Sequence, residues 1–260
     1  MILTIDVGNT NITFRGYESR QLRFTARMST DRARTSDQYA AELIQILSLY
    51  QISASLIQDG IISSVVPELT GVIGSAVEKI SGKRPLIIGP GIKSGLNIKI
   101  DNPAQLGADL VCTAVGAISK YPLPCLVLDL GTATKISVID KNASYLGCTI
   151  SPGVNISLNA LSHGASQLPA LSLEAPKSVI GTNTISSMLA GTVLGTAAML
   201  DGLCARIEEE MAEPVKTFVA TGGLSADIVR HCKHDMQVDQ NLILDGLLVI
   251  YQKNRTDGGK

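Results

Sequence analysis

Two segments of the sequence, one in each half, carry an aspartate followed by a glycine and by hydroxyl or amide side chains. Residues 3–11 align without a gap on residues 126–134, so that Asp6 and Asp129 occupy equivalent positions after an apolar run. A polar turn of this kind offers backbone N–H groups and hydroxyls to a phosphate, and the aspartate holds Mg²⁺ or a water on it. Two such turns in matching positions predict a site that holds one polyphosphate from both sides.

A third glycine turn, Thr221-Gly222-Gly223, follows a predicted strand at residues 215–220 and opens a helix. Its glycines allow the backbone to approach a nucleotide closely, with the N-terminus of the helix directed at it. Taken alone, the same turn is equally typical of an ordinary connection between a strand and a helix. The nucleotide interpretation therefore depends on the two Asp-Gly segments.

Asp109 is a candidate general base in a helix predicted from Pro103 to about Ser119, capped by Asp101-Asn102. Helical spacing gives this helix a small or polar face of Asp109, Cys112, Thr113 and Gly116, and an apolar face of Leu106, Leu110, Val111, Ala114, Val115 and Ile118. A carboxylate beside Gly107 at a cleft is suited to accept the proton of a substrate hydroxyl. Spacing alone, however, favours a solvated surface aspartate.

Other patterns in the sequence are weaker evidence for a functional site. His231-Cys232-x-His234 has metal-ligand residue types, but it lies in a polar run without a second ligand pair, which favours a solvated helix end. Gly191-x-x-x-Gly195 allows close helix packing, either inside a domain or across a dimer. The sequence has no GxxxxGK[ST], GxSxG or GxGxxG motif. It therefore lacks the motifs of a P-loop NTPase, an α/β-hydrolase and a Rossmann dehydrogenase.

The elements that must position these residues follow from hydrophobic spacing and turn residues. Each Asp-Gly segment runs into a return strand, so each half begins with a β-hairpin. Further helices are predicted at residues 35–50, 67–80, 154–162 and 185–211 and further strands at residues 59–65 and 85–88, with Ser36-Asp37 as the cap of the first helix. The irregular segment 164–183 suits either a lid or a static loop. We predict a duplicated α/β protein with domains at residues 1–119 and 120–260.

The composition bounds the class of protein and of partner. The 260 residues are 45% hydrophobic and 17% charged with a net charge of −1, which excludes disorder and offers no basic surface for nucleic acid or membrane. Five cysteines without a CxxC favour a reducing compartment. The N-terminus does not resemble a signal peptide, and the longest apolar tract, residues 188–200, is too short to span a bilayer and is predicted to be a buried helix. We therefore expect a cytoplasmic protein with a small-molecule partner.

A set of motifs in fixed order resembles the type III pantothenate kinase family, within the superfamily of actin, sugar kinases and heat-shock chaperone ATPases. The resemblance covers nearly the whole chain and rests on residues 6–11, 107–109, 129–134, 150–153, 181–184 and 221–223. It implies two ribonuclease-H-like domains with a cleft between them, a homodimer, and ATP-dependent phosphorylation of the primary hydroxyl of pantothenate to 4'-phosphopantothenate, the first committed step to coenzyme A.

The resemblance also implies a role for individual residues. Asp109 would be the general base, Asp6 would lie near Mg²⁺, and Asp129 would hold a monovalent cation, K⁺ or ammonium. Nucleotide would be bound by Asp6, Val7, Gly8, Asn9, Thr10, Asn11, Ile12, Thr13, Gly131, Thr132, Gly222 and Gly223, and pantothenate by Gly107, Ala108, Asp109, Leu110 and Thr184.

Two residues depart from the family pattern. Leu110 stands where the family has an arginine that contacts substrate, which leaves open an altered substrate or a non-catalytic, regulatory relative. Retention of Asp6, Asp109 and Asp129 argues against a non-catalytic protein. Lys135 stands where the family has threonine, and its ammonium either replaces the monovalent cation beside Asp129 or points to solvent from the return strand.

Overall fold

The computed structural model describes residues 1–19, 21–165 and 167–256, with only the backbone of Thr256. These residues form two units. Unit 1 comprises Met1–Leu96, Asp101–Ser119 and the C-terminal segment that starts at Leu242, and unit 2 comprises Asn97–Ile100 and Lys120–Asn241. Part of the segment at residues 164–183, where a lid or a static loop was considered, lies outside the described residues.

Unit 1 is built on a five-stranded sheet in the order β3-β2-β1-β4-β5. The first three strands form an antiparallel meander, and β4 and β5 run parallel to β1. The strands are β1 (Ile2–Val7), β2 (Asn11–Glu18), β3 (Gln21–Ser29), β4 (Asp59–Ser64) and β5 (Leu86–Ile87).

The face on which Asp6 lies follows from the alternation of side chains along β1. Leu3, Ile5 and Val7 are fully buried in the core that the sheet shares with two helices, α1 (Ser36–Leu49) and α2 (Pro67–Ser81). Because successive side chains of a strand point to opposite faces, Asp6 lies on the other face of the sheet.

The N-cap of helix α1 lies one residue before the predicted cap. Thr35, rather than Ser36-Asp37, is the N-cap, and it forms a capping box with Gln38. The Thr35 side chain accepts from Gln38 N, and the Gln38 side chain accepts from Thr35 N at 2.8 Å. Ser36, which was predicted as part of the cap, is the first helical residue, because Thr35 before it accepts from a free N–H group of the first turn.

The helix predicted from Pro103 is interrupted. Asn102 caps a short 3₁₀ turn, Pro103–Gln105, and α3 (Ala108–Lys120) starts only after Gly107. Beyond the half-buried Asp109, its polar face is buried, because α7 (Leu242–Thr256) crosses it where Gly116 meets Gly246. A methyl group on Gly246 would lie 2.9 Å from Gly116 N and closer still to the Cys112 carbonyl oxygen. Glycine at both positions permits this close crossing.

Unit 2 repeats the sheet of unit 1. Its strand order is β11-β10-β7-β8-β9, with β6 added at the edge, and the directions match those of β5-β4-β1-β2-β3. The duplication predicted from the two Asp-Gly segments is therefore seen in both sheets. The strands are β6 (Asn97–Ile98), β7 (Cys125–Leu130), β8 (Ala133–Ile139), β9 (Ser144–Pro152), β10 (Thr217–Thr221) and β11 (Met236–Val238).

Three helices belong to unit 2: α4 (Val154–Gly164), α5 (Thr184–Met211) and α6 (Ser225–Val229). Helix α5 differs from the buried helix that was predicted, because only one of its faces is buried and Gly191, Gly195 and Gly202 are exposed. Among the described residues it is the one helix long and apolar enough to cross a membrane, with 44% of its most apolar window buried. This is weak evidence for a span, since core helices pass the same test.

The C-terminal helix, α7, belongs to unit 1, so unit 1 is not one continuous segment of the chain. The predicted domain at residues 120–260 included this helix, whereas the structure groups α7 with unit 1. Arg15 Nη1 lies 3.1 Å from Asp245 Oδ1, and the Tyr17 hydroxyl donates to the same oxygen at 2.9 Å. At the far end of the helix, Arg255 Nη2 lies 2.9 Å from Asp59 Oδ2. Polar contacts from β2 and from β4 thus fix α7 on unit 1.

Candidate active site

The first turn joins β1 to β2 and presents a fixed polar tip. Gly8 N donates to Asn11 O at 3.0 Å, and Asn9 and Thr10 between them are exposed. Thr30, which follows β3, holds the turn from the side. Its Oγ donates to Gly8 O at 2.7 Å and its N donates to Thr10 O at 3.0 Å. A turn held in this way can receive a phosphate without first being ordered.

Asp6 and Asp109 lie near the same buried sulfur atom. Burial raises the pKa of the Cys112 thiol well above its usual range, and the negative charges of Asp6 and Asp109 raise it further, while the Ser63 hydroxyl acts in the opposite direction. Ser63 pairs with Asp6 in the register of β1 and β4. Both carboxylates are half-buried. Two aspartates that are 103 positions apart in the sequence therefore share one electrostatic environment in unit 1.

Asp109 is set by the start of α3. It lies in the first turn of the helix, where the aligned peptide dipoles favour a negative charge. A side chain on Gly107 would lie 2.5 Å from Asp109 Oδ1, so glycine at that position leaves space for the carboxylate. Leu110, the next residue, is 8% exposed and packs into the core. Asp109 is therefore not the fully solvated surface aspartate that spacing alone favours.

The second turn joins β7 to β8 and carries an ion pair. Asp129 and Lys135 are directly opposite each other in the antiparallel register, and Lys135 Nζ lies 2.9 Å from Asp129 Oδ2. Both side chains are mostly buried, 14% exposed for Lys135 and 13% for Asp129. Of the two orientations considered for Lys135, the structure has the one that faces Asp129. Residues directly opposite on paired strands place their side chains on the same face, which accounts for the contact.

Two further glycine turns pack against the second turn. A side chain on Gly153 would lie 2.6 Å from Gly131 O, and one on Gly222 would lie 2.6 Å from Leu130 O. Gly222 also has a φ of +91°, a conformation that favours glycine. Thr221, Gly222 and the second turn therefore meet at one edge of the unit 2 sheet. Gln240 Nε2 donates to Gly222 O at 2.9 Å, and this hydrogen bond fixes the third turn.

Thr184 is the first residue of α5 and is exposed. Asn183 caps the helix, accepting from Ser186 N at 2.9 Å, and the Ser186 hydroxyl accepts from Asn183 N at 3.2 Å. Gly181 packs against the backbone of Ser187, where a side chain would collide. The order Gly-Thr-Asn-Thr therefore builds a tight helix start that exposes the Thr184 hydroxyl.

The His-Cys-x-His run does not form a metal site in the part of the chain that the structure describes. His234 Nδ1 lies 2.8 Å from Asp201 Oδ1, and His234 Nε2 lies 3.7 Å from Glu208 Oε2. Burial alone would raise the pKa of Asp201, but the hydrogen bonds from His234 and from the Lys233 backbone outweigh it and lower that pKa. These contacts tie the segment before β11 to α5, so the run has a structural role.

The predicted site residues thus fall into two sets. Asp6, Gly8 to Thr13, Gly107 and Asp109 belong to unit 1, and Asp129, Gly131, Thr132, Thr184, Gly222 and Gly223 belong to unit 2. Sequence reasoning missed Arg32 and Gln240, which contact Asn9 and Gly222 through side chains. Their signal lies in tertiary contacts over 23 and 18 positions, which residue type and spacing do not show.

Two units with the same strand order, each with an Asp-Gly turn, define a ribonuclease-H-like protein of the actin-like ATPase and sugar kinase class. A solved structure with this architecture is component A of the (R)-2-hydroxyglutaryl-CoA dehydratase of Acidaminococcus fermentans. It is 16% identical, matches with a TM-score of 0.57, and the match covers 98% of each chain. At that identity the likeness shows the fold alone.

Sequence comparison narrows the class to one family. The family model of type III pantothenate kinase matches residues 2–206. The type III pantothenate kinases of Exiguobacterium sibiricum and Myxococcus xanthus are both 42% identical to the chain, over 98% of it and over 100% and 99% of their own lengths. The chain belongs to the type III pantothenate kinase family. These comparisons give no support to a non-catalytic relative.

Proposed function

We propose that this protein transfers the γ-phosphoryl group of ATP to the primary hydroxyl of pantothenate, which forms 4'-phosphopantothenate and opens the route to coenzyme A. The observation that carries the proposal is family membership over residues 2–206 in a chain that retains Asp6, Asp109 and Asp129. Phosphoryl transfer requires mainly positioning of the reactants and neutralisation of charge. Turns that present N–H groups, one base and a divalent cation are sufficient for it.

Asp109 is the general base in this proposal. Its carboxylate accepts the proton of the pantothenate hydroxyl as that oxygen attacks the γ-phosphorus. Half-burial at the first turn of α3 limits the solvation of the carboxylate, and the absence of a side chain at Gly107 leaves the space that the carboxylate occupies. A positioned base of this kind contributes about 10²- to 10⁴-fold to rate.

The residues of the first turn fit a magnesium ion that arrives with ATP. Magnesium prefers oxygen ligands and is usually held by one or two carboxylates together with substrate phosphates. Asp6 supplies such a carboxylate beside the exposed Asn9 and Thr10, and no larger cluster of ligating side chains occurs among the described residues. The bound metal would neutralise charge on the phosphates, and Gly8 to Thr13 would orient them.

The second and third turns hold the rest of the nucleotide. Thr132 presents its hydroxyl to a phosphate, and Gly131, whose N–H donates to Ala133 O at 3.2 Å, shapes the turn that carries it. Gly222 and Gly223 lie by the adenosine. Support comes from the packing of Gly222 on Leu130, which puts the third turn beside the second. Gly223 has no heavy atom within 4 Å of a built side chain, so space remains there for a ligand.

Pantothenate would contact Gly107, Ala108, Leu110 and Thr184. The arginine that the family pattern has at position 110 would add a charge-assisted hydrogen bond worth about 1.5–3 kcal/mol. Its absence corresponds to roughly one to two orders of magnitude in affinity. We therefore expect this kinase to work with a high KM for pantothenate.

Lys135 is proposed to replace the monovalent cation of the family. Its ammonium already occupies the position beside Asp129 at 2.9 Å, and a second cation there would meet like charge. A compact ammonium on a flexible stem is chemically similar to K⁺ or NH₄⁺ at an oxygen ligand. The active protein would then need Mg²⁺ and ATP but neither added K⁺ nor ammonium.

A homodimer and a cytoplasmic location complete the proposal. The exposed face of α5 supports the dimer, because Gly191, Gly195, Ala198 and Gly202 form a stripe of small residues along it. Small residues allow a second helix to approach closely. The five cysteines are free in the structure, which agrees with a reducing compartment.

The test of the proposed function is ADP release by the purified protein with Mg-ATP, measured with and without pantothenate and with and without K⁺. Pantothenate-dependent ADP release, with 4'-phosphopantothenate identified by mass, is the expected result. ATP binding without pantothenate-dependent release would overturn the proposal and favour a different substrate.

A further inference from the structure

Arg32 lies beside the first turn although it is distant from it in sequence. Arg32 Nη2 donates to the Asn9 side-chain oxygen at 3.1 Å. Asn9 and Thr10 form the exposed tip of the turn, and Arg32 is itself exposed, with 59% of its side chain open to solvent. A guanidinium therefore stands at the same tip that presents polar groups for a phosphate.

The two residues before Arg32 are fixed before any ligand binds. Thr30 holds it to the turn through Gly8 O and Thr10 O. At the next residue, the Tyr39 hydroxyl accepts from Asp31 N at 3.0 Å and donates to Asp31 O at 2.7 Å, and Tyr39 is 1% exposed. Little conformational freedom of the backbone remains to be lost on binding, which favours affinity.

The charges around Arg32 leave its guanidinium able to bind an anion. Asp31 is already engaged, because its Oδ2 lies 3.5 Å from Arg34 Nε and its Oδ1 accepts from Ala33 N at 2.9 Å. Glu68 Oε1 lies 3.8 Å from Arg32 Nη1, and both side chains are about 60% exposed. Exposed pairs of this kind contribute little, typically under ~1 kcal/mol. A phosphate can displace Glu68 because the planar guanidinium matches two phosphate oxygens at once.

We infer that Arg32 is a phosphate-binding residue of the nucleotide site, which contacts the terminal phosphates of ATP at the first turn. The inference rests on the proposed kinase function and extends it, because it assigns a cation from the loop between β3 and α1 to the charge that phosphoryl transfer must neutralise. Arg32 acts with the turn, whose N–H groups and Asn9 orient the same phosphates.

The experiment compares nucleotide binding by the wild-type protein and by Arg32→Gln. The probes are a non-hydrolysable ATP analogue with an imido bridge between the β and γ phosphates, and AMP, which lacks both phosphates. We expect Arg32→Gln to weaken binding of the analogue about tenfold, as for loss of one charge-assisted hydrogen bond, and to leave AMP binding unchanged. In turnover, the KM for ATP should rise while the KM for pantothenate stays constant.

Arg23→Gln is the matched control, since it removes the same charge from an exposed side chain of unit 1 that pairs with Glu18. Equal losses in the two variants would show a general effect of charge and overturn the inference. Wild-type affinity in Arg32→Gln, with wild-type turnover intact, would overturn it while leaving the kinase in place. If the wild-type protein shows no pantothenate-dependent turnover, the proposed function is what fails.

Discussion

Lys135 Nζ lies 2.9 Å from Asp129 Oδ2, and the two residues are directly opposite each other on the second hairpin. The pair puts a positive charge of the protein itself at a position where the family resemblance implies a monovalent cation. A single residue of β8 supplies this ammonium. The consequence can be measured as a dependence on added ions.

Replacing Lys135 by alanine should make the protein dependent on a monovalent cation. Removal of the ammonium takes a positive charge away from the mostly buried Asp129, and loss of one charge of a buried pair is strongly destabilising. We expect turnover of Lys135→Ala to fall in sodium buffer and to recover in K⁺ or NH₄⁺, whereas the wild type should not respond. Lys141→Ala is the control, because Lys141 forms an exposed pair with Glu213. A wild-type protein stimulated by K⁺ would contradict the prediction.

Replacing Asp109 by asparagine should separate turnover from binding. The amide cannot accept the hydroxyl proton, so kcat should fall about 10²- to 10⁴-fold, while the affinity for the ATP analogue should change little. Asp101→Asn, at an exposed position ahead of α3, should keep wild-type kcat. Turnover retained in Asp109→Asn would exclude Asp109 as the base and move that role to another group.

Replacing Gly246 by alanine should destabilise unit 1. The new methyl group would meet backbone atoms of Cys112 and Gly116, which cannot move away as a side-chain end can. Overpacking of this kind costs about 1–3 kcal/mol. Gly71→Ala, in α2 with open space around it, should instead stabilise by about 0.5–1 kcal/mol. Thermal or chemical unfolding of the two variants measures the contrast, and equal effects would argue against the close crossing of α3 and α7.

The acid sensitivity of the protein should depend on Asp239. Burial would raise the pKa of this carboxyl, but hydrogen bonds from Lys120, Asn241 N and Tyr121 outweigh it and lower the pKa. A lowered pKa in the folded state stabilises above the unfolded value, about 3.9 for aspartate, and this stability is lost as the pH falls through the folded pKa.

Asp239→Asn should therefore have a lower free energy of unfolding than the wild type at pH 7. Between pH 5 and pH 3 its free energy of unfolding should fall by less than that of the wild type. Asp227→Asn is the control, because the pair of Asp227 with Arg230 is exposed and 3.6 Å long. The measurement is denaturant unfolding at a series of pH values. Parallel acid curves for Asp239→Asn and the wild type would show that this carboxyl has no part in the acid response.

The face of α5 should decide the oligomeric state. The chain mass is 27.4 kDa, and light scattering should give about twice that value for the wild type if the proposed dimer forms. Gly195→Arg puts a long charged side chain in the middle of the small-residue stripe and should yield a monomer. Gly71→Arg, on the exposed part of α2, should stay dimeric. A monomeric wild type would remove the dimer from the proposal.

The parts of the fold that could be predicted are those that neighbouring residues determine. The two hairpins, α1 and α2 follow from alternation, helical spacing and turn residues, because those signals are local. The break at Gly107 was missed because Pro103 and the apolar spacing both continue a helix through it. The placement of α7 was missed because its partner Arg15 is 230 positions away from Asp245.

The candidate site shows the same division. Residue type and position single out Asp6, Asp109 and Asp129 as candidates, and the orientation of Lys135 depends on the register of its hairpin. The first turn has four residues between the paired Val7 and Ile12, and the second has three between Leu130 and Thr134. That difference decides which residue of the return strand faces the aspartate. Arg32 depended on the tertiary packing of a loop, which no local pattern encodes.

The position of α7 in the chain also sets the order in which the protein can be completed on the ribosome. Unit 2, including the short β6 segment, is synthesised in full before the first residue of α7 leaves the tunnel. Synthesis of unit 1 begins first, but unit 1 stays incomplete until α7 brings Asp245 to Arg15 and Arg255 to Asp59. Because domains fold as units during synthesis, the half that is translated second is the first to be finished. A nascent chain stalled before Leu242 would expose the polar face of β1 and β4 and would be a target for chaperones.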